Sequence, residues 1–324
     1  MPRISLTECL RRVVPVAAVS FALGLSACSP SAQQSEIRIG INAWPGYELV
    51  HLAAVKGFFG EEGLNVRLVE FDSLADAGRS YRVGQIDGLA TTMVEVIMIR
   101  DDSERDLRVT RIFDVSDGAD VIIAPRSIGS MADLRGLPIG VELQSLGTFM
   151  LGRALELNGM QFSDVKPVSS DQTTMEEILR AGDLSAVVTY PPVAVKLLEN
   201  PNFHAIFSSA QIPGEVVDVL ALDSSLLRGV RPPAAAINRA LDKAWAYYLA
   251  NQEESIRIMA AREGITPAEF AETLSGGIHL YSPAESAAFF ESGGNLQAIA
   301  ETTAKYLRLM NVISNKSGVT DCSP

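Results

Sequence analysis

The sequence predicts an α/β protein built as two lobes, each with a largely parallel sheet. Three observations lead to this fold class. From residue 37 onward, apolar runs of strand length alternate with stretches of helical periodicity. The chain also repeats its own pattern at a separation of about 100 residues. Finally, two apolar runs have the positions expected of connections between the lobes.

The internal repeat is clearest in two pairs of segments. Ile39-Gly40-Ile41 is matched by Ile139-Gly140-Val141. The second pair aligns without a gap: R-V-G-Q-I-D-G-L-A-T-T at 82–92 and R-A-G-D-L-S-A-V-V-T-Y at 180–190. Each copy has the pattern of a helix end, a terminating glycine and a buried strand. The repeat therefore predicts two lobes of similar βαβ construction.

Two crossings are predicted between the lobes. The run A-D-V-I-I-A at 119–124 leaves the first lobe, and V-V-D-V-L-A-L at 216–222 returns to it. Everything after about 222 is predicted to be helical, beginning at Pro232-Pro233, since proline is favoured in a first helical turn. The expected division is a hinged pair, with one lobe of residues 38–120 and 220–324 and the other of residues 121–219.

The first 28 residues are predicted to be an export signal. Arginines precede an apolar segment that is too short to span a bilayer comfortably, and the segment ends in Leu25-Ser26-Ala27-Cys28. This ending resembles the bacterial lipobox, so we expect lipidation at Cys28; an ordinary cleaved signal would also export the chain. Residues 29–37 have the composition of a tether. We therefore expect a protein on the periplasmic side, anchored to a membrane through its N-terminal lipid.

Charge and cysteine content argue against a nucleic-acid partner and against stabilisation by disulfides. The formal net charge of −12 becomes −14 when the signal is removed, with 24 basic and 38 acidic residues left. This balance argues against a nucleic-acid partner. Apart from Cys28, only Cys322 in a polar tail remains, so the mature chain is expected to have no internal disulfide. Its stability must come from packed cores.

Four motifs resemble the substrate-binding proteins of ABC importers, and within them the nitrate/sulfonate/taurine and thiamine-pyrimidine-precursor group. They are N-A-W-P-G-Y at 42–47, A-x-x-K-G-F-F-x-x-x-G-L-x-V at 53–66, G-x-I-D-G at 84–88 and S-M-A-D-L-R-G-L-P-I-G-V at 130–141. The resemblance covers about residues 37–310. It implies a two-lobed periplasmic-binding-protein clamp of type II. Such a clamp binds a small molecule and delivers it to an ABC permease in the inner membrane.

The candidate ligand-binding residues lie beyond the carboxyl ends of predicted strands, where open parallel sheets bind ligands. They are Asn42, Trp44, Tyr47, Asp72, Thr91, Thr92, Glu142, Gln144, Ser145 and Tyr190. The three aromatic residues are expected to stack on a ligand, with plain packing as the alternative for Trp44 and Tyr190. Tyr190 stands in Thr189-Tyr190-Pro191-Pro192, where the family often has Trp-x-x-Pro. Thr91, Thr92 and Ser145 are explained equally well as helix caps.

The charges near these loops indicate the ligand chemistry. The acids are Asp72, Glu95, Asp114, Asp117, Glu142, Glu215 and Asp218, and no Lys or Arg occurs among the predicted strand-end loops. We therefore predict a ligand with hydrogen-bond donors or positive charge, such as an amine or an aminopyrimidine. Residues 114–120 also have the composition of an ordinary turn. The alternative ligand is a sulfonate, taurine or nitrate anion held by the amides of the helix that starts at 146.

No catalytic, metal or cofactor pattern is found in the sequence. His51, His204 and His279 fall in three separate predicted elements, and none of the common hydrolase, nucleotide or zinc motifs is present. We therefore predict a monomeric binding protein rather than an enzyme, with no cofactor. One alternative role stays open, because a clamp that closes on a ligand can equally signal to a membrane sensor.

Overall fold

Two β-sheets organise the chain in this computed structural model, which describes residues 35–316 and 318–324. The predicted signal peptide, Cys28 and the tether up to residue 34 lie outside the described residues. In chain order the strands are β1 (Ile37–Ile41), β2 (Val66–Glu70), β3 (Gly88–Thr92), β4 (Leu107–Ser116), β5 (Val121–Pro125), β6 (Pro138–Val141), β7 (Lys166–Ser169), β8 (Ala186–Thr189), β9 (Phe203–Ser208), β10 (Val217–Asp223) and β11 (Ile278–Leu280).

The strand order is β11-β4-β10-β3-β1-β2 in the first sheet and β7-β6-β8-β5-β9 in the second. The predicted two-sheet α/β fold is confirmed, but the sheets are mixed rather than parallel. In each sheet three strands are parallel, while the strand that arrives from the other sheet runs against them: β10 is antiparallel to β3, and β5 is antiparallel to β8. Both crossings are short, residues 117–120 and residues 209–216.

Twelve α-helices surround the sheets in the described part of the chain. They are α1 (Glu48–Val55), α2 (Phe58–Glu61), α3 (Leu74–Arg82), α4 (Met93–Asp102), α5 (Leu146–Leu157), α6 (Gln172–Ala181), α7 (Val193–Leu198), α8 (Pro233–Ala250), α9 (Gln252–Glu263), α10 (Pro267–Gly276), α11 (Pro283–Ala288) and α12 (Leu296–Leu309). Among the described residues, none of these helices is long and apolar enough to cross a membrane.

The region after residue 222 is mainly helical, as predicted, but one expectation there is wrong. Everything after about 222 was predicted to be helical, but residues 278–280 form β11, which pairs with the open edge of β4. The pairing gives hydrogen-bond partners to an edge strand that would otherwise leave its backbone groups unpaired. His279 therefore lies on a sheet edge, ring to ring with Tyr281 at 5.0 Å between centroids.

The sequence repeat has a physical explanation in the two sheets. β1 pairs with β2 and β3 in the first sheet, and β6 pairs with β7 and β8 in the second. The glycines of the matched strands are covered by matched side chains. A Cβ on Gly40 would lie 2.7 Å from Ile86 Cδ1, and one on Gly140 would lie 2.5 Å from Leu184 Cδ1. At both positions an aliphatic side chain approaches the glycine backbone closely, and an added Cβ would require that side chain to shift.

The chain passes from the first sheet to the second between Ser116 and Val121, and returns between Ser208 and Val217. Cys322, in the polar C-terminal tail, is buried. The tail packs along β4, where the Val109 N–H donates to the Cys322 carbonyl at 2.8 Å. Burial of the thiol raises the pKa of Cys322 to about 11.

Candidate ligand-binding site

A cavity lies where strand ends of the two sheets meet. Its lining residues are Asn42, Trp44, Tyr47, Leu74, Thr92 and Asp218 on the side of the first sheet, and Asp120, Leu146 and Tyr190 on the side of the second. About 190 Å³ in and around the cavity is free of protein atoms, but the space open to water within it is only about 10 Å³. This is room for about one water molecule. An organic ligand therefore requires the two sides to move apart.

Three aromatic rings form one wall of this cavity. The Trp44 ring lies 6.4 Å from Tyr47 and 6.1 Å from Tyr190 between centroids, and its pair with Tyr190 is T-shaped. The short helical turn 45–47 places Tyr47 and ends the extended segment at Trp44, because Pro45 occupies its first position. All three rings are buried in the main apolar cluster. The aromatics after β1 therefore both pack the core and face the cavity.

Because Trp44 is only 3% exposed, we expect the substitution Trp44→Ala to lower the free energy of unfolding by about 3–5 kcal/mol. Trp44→Phe keeps most of the buried ring and loses the bond from the indole Nε1 to Asp114 Oδ1, at 3.3 Å. It should cost about 1 kcal/mol. Urea denaturation of both variants measures the difference. A Trp44→Ala variant within 1 kcal/mol of the unsubstituted protein would contradict the packing role.

Two carboxyl groups face each other behind the aromatic wall. Asp114 in β4 and Asp218 in β10 are directly opposite in the antiparallel pair, and both are buried. The Tyr47 hydroxyl donates to Asp218 Oδ1. Burial raises the pKa of Asp114 to about 8, and burial together with the charge of Asp114 raises the pKa of Asp218 well above its ordinary value. Two buried acids directly opposite each other favour a shared proton, or a positive charge beside them.

Three acceptor atoms of cavity-lining residues have no hydrogen-bond partner among the described residues. They are Asn42 Oδ1, Asp120 Oδ2 and Asp218 Oδ2. Each residue is at most 2% exposed, and burial raises the pKa of Asp120 to about 7. Buried acceptors without donors are costly, so they indicate a group that supplies N–H or O–H donors when bound. None of the lining residues is Lys or Arg.

One cation that contacts the backbone of this group is Arg262, at the end of α9. Its Nη1 donates to the Asn42 carbonyl at 3.4 Å, but the same nitrogen forms an ion pair with the buried carboxylate of Glu48. Burial raises the pKa of Glu48 to about 7 although the charge of Arg262 opposes the change. Arg262 is thus engaged outside the cavity and leaves the cavity acidic.

Two buried glutamates connect the sides of the cavity through helix starts. Glu95, in the first turn of α4, accepts the Leu146 N–H of α5 at 2.6 Å. In the opposite direction, Glu142, just after β6, accepts the Ala75 N–H of α3 at 2.8 Å. A carboxylate is a favourable partner for a helix N-terminus, whose first N–H groups have no partner within the helix. The α5 amides expected to hold an anion are therefore already used by the protein.

The structure brings together half of the predicted site residues. Asn42, Trp44, Tyr47, Thr92 and Tyr190 line the cavity. The Asn42 Nδ2 donates to the Tyr190 hydroxyl across it, at 3.4 Å. Thr92 also has the capping role expected of it, since its Oγ1 accepts the Val94 N–H at 3.0 Å.

The other predicted residues lie outside the cavity. Thr91 and Glu142 are buried behind its walls, and Ser145 caps α5 by accepting the Gly147 N–H at 3.3 Å. Gln144 is exposed with a φ of 58°, and its N–H donates to Thr148. Asp72 is exposed and lines a neighbouring depression, which shares Tyr190 with the cavity.

Asp120, Leu74 and Leu146 line the cavity but were not predicted to do so. Asp218 was predicted only as one of the acids near the loops. The turn expected over residues 114–120 is confined to residues 117–120, because β4 continues to Ser116. Asp120 directly precedes the apolar run V-I-I-A, and Asp218 interrupts V-V-x-V-L-A-L. A carboxylate inside an apolar strand pattern was the available signal, since such a group is rarely buried without a role.

The sequence of this chain is similar to a known family and to relatives named as binding proteins. The family described as NMT1/THI5 like matches residues 44–255. Relatives from Brucella abortus strain 2308 and Brucella melitensis, each named only as a candidate binding protein, are 28% identical over 152 residues. This region is 44% of the present chain and 46% of each relative, so the match spans about half of their length.

Solved structures with the same fold are periplasmic binding proteins. The alkanesulfonate-binding protein SsuA from Xanthomonas axonopodis has a TM-score of 0.76 at 17% identity, covering 91% of this chain and 99% of its own. SsuA from Escherichia coli has a TM-score of 0.68 at 19% identity, with 89% and 97% covered. The nitrate-binding protein NrtA from Synechocystis has 0.70 at 12% identity, with 89% and 85% covered. These three similar proteins are named as binding proteins.

Proposed function

This chain belongs to the NMT1/THI5-like family, and we propose that it is the extracytoplasmic solute-binding lipoprotein of an ABC importer. Its lobes, residues 38–120 with 220–324 and residues 121–219, would close on a small organic ligand at the cavity between the two sheets. The partner is an ABC permease in the inner membrane, and Cys28 would carry the lipid anchor. Support comes from the family, the binding-protein fold and a cavity that draws its lining from both sheets.

The proposed ligand has N–H donors and a positive charge, as in an amine or an aminopyrimidine. The observation that carries this proposal is a set of buried acceptors at Asn42, Asp120 and Asp218 that have no donor among the described residues. A proton shared with Asp114 would satisfy Asp218 only while the cavity is free of ligand. A protonated amine offers donors to such acceptors, and its charge offsets the burial cost of the carboxylates. The Trp44, Tyr47 and Tyr190 rings would add cation–π contacts.

The structural relatives are named for anionic ligands, sulfonates and nitrate, so an anion is the competing candidate. Their identity to this chain is below 20%, and that likeness concerns the fold. An oxyanion in a dry site needs Arg, Lys or free helix amides. Here the cavity lining has no basic residue, and the first amide of α5 is bonded to Glu95.

A thermal-shift screen tests the ligand class. The protein would be the chain from residue 29, without Cys28, and the panel would contain alkylamines, polyamines, aminopyrimidines, taurine, methanesulfonate and nitrate. An amine or aminopyrimidine at a hundred times its dissociation constant is expected to add about 2.7 kcal/mol to the free energy of unfolding. Stabilisation by methanesulfonate or nitrate, with none by the cations, would reject the proposed ligand class and leave the transport role intact.

A further inference from the structure

The start of α5 is fully supplied with hydrogen-bond acceptors from the protein itself. The Leu146 N–H donates to Glu95 Oε1 at 2.6 Å, and the Gly147 N–H donates to Ser145 Oγ at 3.3 Å. The Thr148 N–H donates to the Ser145 carbonyl at 3.0 Å. Of these bonds, only the first uses an acceptor from the other side of the cavity. Leu146 is also the residue of α5 that lines the cavity.

Glu95 is held firmly in this position. It is 3% exposed, and its second carboxyl oxygen accepts the hydroxyl of Thr92, another lining residue. Its own helix begins at Met93, so the carboxyl group lies at the N-terminal end of α4 as well as at that of α5. Two helix starts with positive dipole ends thus meet at one carboxyl group. A ligand oxyanion would need the same place.

We propose that Glu95 is a specificity-determining residue, because its carboxyl group occupies the helix amide next to the cavity and so excludes oxyanion ligands. The inference rests on the proposed function as a solute-binding protein. According to this inference, the cavity rejects oxyanions because Glu95 occupies the Leu146 amide, and not because the site as a whole is acidic. Removal of the side chain should therefore open the cavity to oxyanions.

The chain provides a matched control in Glu142. This residue is 4% exposed and accepts a helix amide from the other side at 2.8 Å, as Glu95 does. The amide that it holds belongs to Ala75, which lines a different depression and not this cavity. Glu142→Ala removes the same number of buried acids and frees the amide of Ala75, which follows the lining residue Leu74, rather than the amide of a lining residue. Glu95→Gln is a second control, since the amide oxygen can still accept the Leu146 N–H.

The experiment measures methanesulfonate binding by calorimetry to the unsubstituted protein and to the variants Glu95→Ala, Glu95→Gln and Glu142→Ala. It is done at pH 6, below the pKa of about 7 of Asp120, so that this acid repels the probe less. Glu95→Ala is expected to bind the probe roughly tenfold or more tightly than the other three proteins. Glu95→Ser serves the same purpose if the alanine variant does not fold.

A folded Glu95→Ala or Glu95→Ser variant without this gain would overturn the inference, as would an equal gain in Glu142→Ala. The same four proteins are titrated with the best cation of the thermal-shift panel. A gain in methanesulfonate binding without cation binding by the unsubstituted protein would reject the proposed ligand and leave the role of Glu95 standing. Cation binding without the gain would do the reverse.

Discussion

Replacement of Asp218 by asparagine is expected to weaken binding of a cationic ligand by about a hundredfold and to stabilise the unliganded protein by about 1–3 kcal/mol at pH 8. The two effects have one cause. Asp218 is buried opposite Asp114, and one of its oxygens has no partner among the described residues. Asparagine keeps an acceptor for the Tyr47 hydroxyl and can donate to Asp114. The substitution therefore removes a buried acid that has to keep a proton in the unliganded protein, and whose charge only a bound cation would make favourable.

A matched control lies on the same strand. Asp223, at the end of β10, accepts from the Tyr81 hydroxyl and from Arg105 Nε, both at 3.1 Å. Burial opposes ionisation there, but the bonds from Ser225 and the charge of Arg105 lower the pKa of Asp223. Asp223→Asn should thus destabilise the fold by about 1 kcal/mol and leave ligand affinity unchanged. Calorimetry and urea denaturation measure both quantities. Undiminished affinity in Asp218→Asn would show that this carboxylate does not contact the ligand.

Much of the fold could be predicted from the sequence because local rules determine it. Proline at the start of α8 and the left-handed glycines after α3 and α6 (Gly84, Gly182) mark helix ends that the structure has within a residue or two. The two-sheet arrangement follows from the repeat. Its basis is the close contact of Ile86 with Gly40 and of Leu184 with Gly140, which a change of either partner would disrupt.

The candidate site was less predictable because it depends on how distant elements pack. The loop 42–47 signals two aromatics after a strand, but their burial results from contact with β4 and with Tyr190 across the cavity. Asp72 and Gln144 follow strands and still point elsewhere, since position in the chain does not determine the direction of a loop side chain. Likewise, the meeting of Asp114 with Asp218 depends on the antiparallel pairing of β4 with β10, which the expectation of parallel sheets did not include.

The stability of the unliganded protein is expected to fall as the pH rises from 5.5 to 8.5. Burial raises the pKa of Asp120 and Glu142 to about 7 and that of Asp114 to about 8. Between an ordinary carboxyl pKa near 4 and these values, the folded chain binds more protons than the unfolded chain. The free energy of unfolding contributed by these groups is therefore complete at low pH and is lost through pH 7–8. The loss should reach about 3 kcal/mol, or roughly 5 °C in melting temperature for a chain of this size.

At low pH, protonation of the ion-paired acids lowers the stability of the protein. Burial of Asp87 opposes ionisation, but hydrogen bonds and the charge of Arg38 lower its pKa, so its stabilising effect is present above pH 4 and lost below. The melting temperature should thus be highest near pH 5.

Asp120→Asn should reduce the fall in melting temperature between pH 6 and 8, while 0.5 M salt should leave this fall largely intact because buried charges are weakly screened. A cation that binds these carboxylates should bind more tightly at pH 8 than at pH 5.5, since its binding releases their protons. A melting temperature that rises from pH 5.5 to 8.5 would mean that the buried acids are compensated within the folded chain.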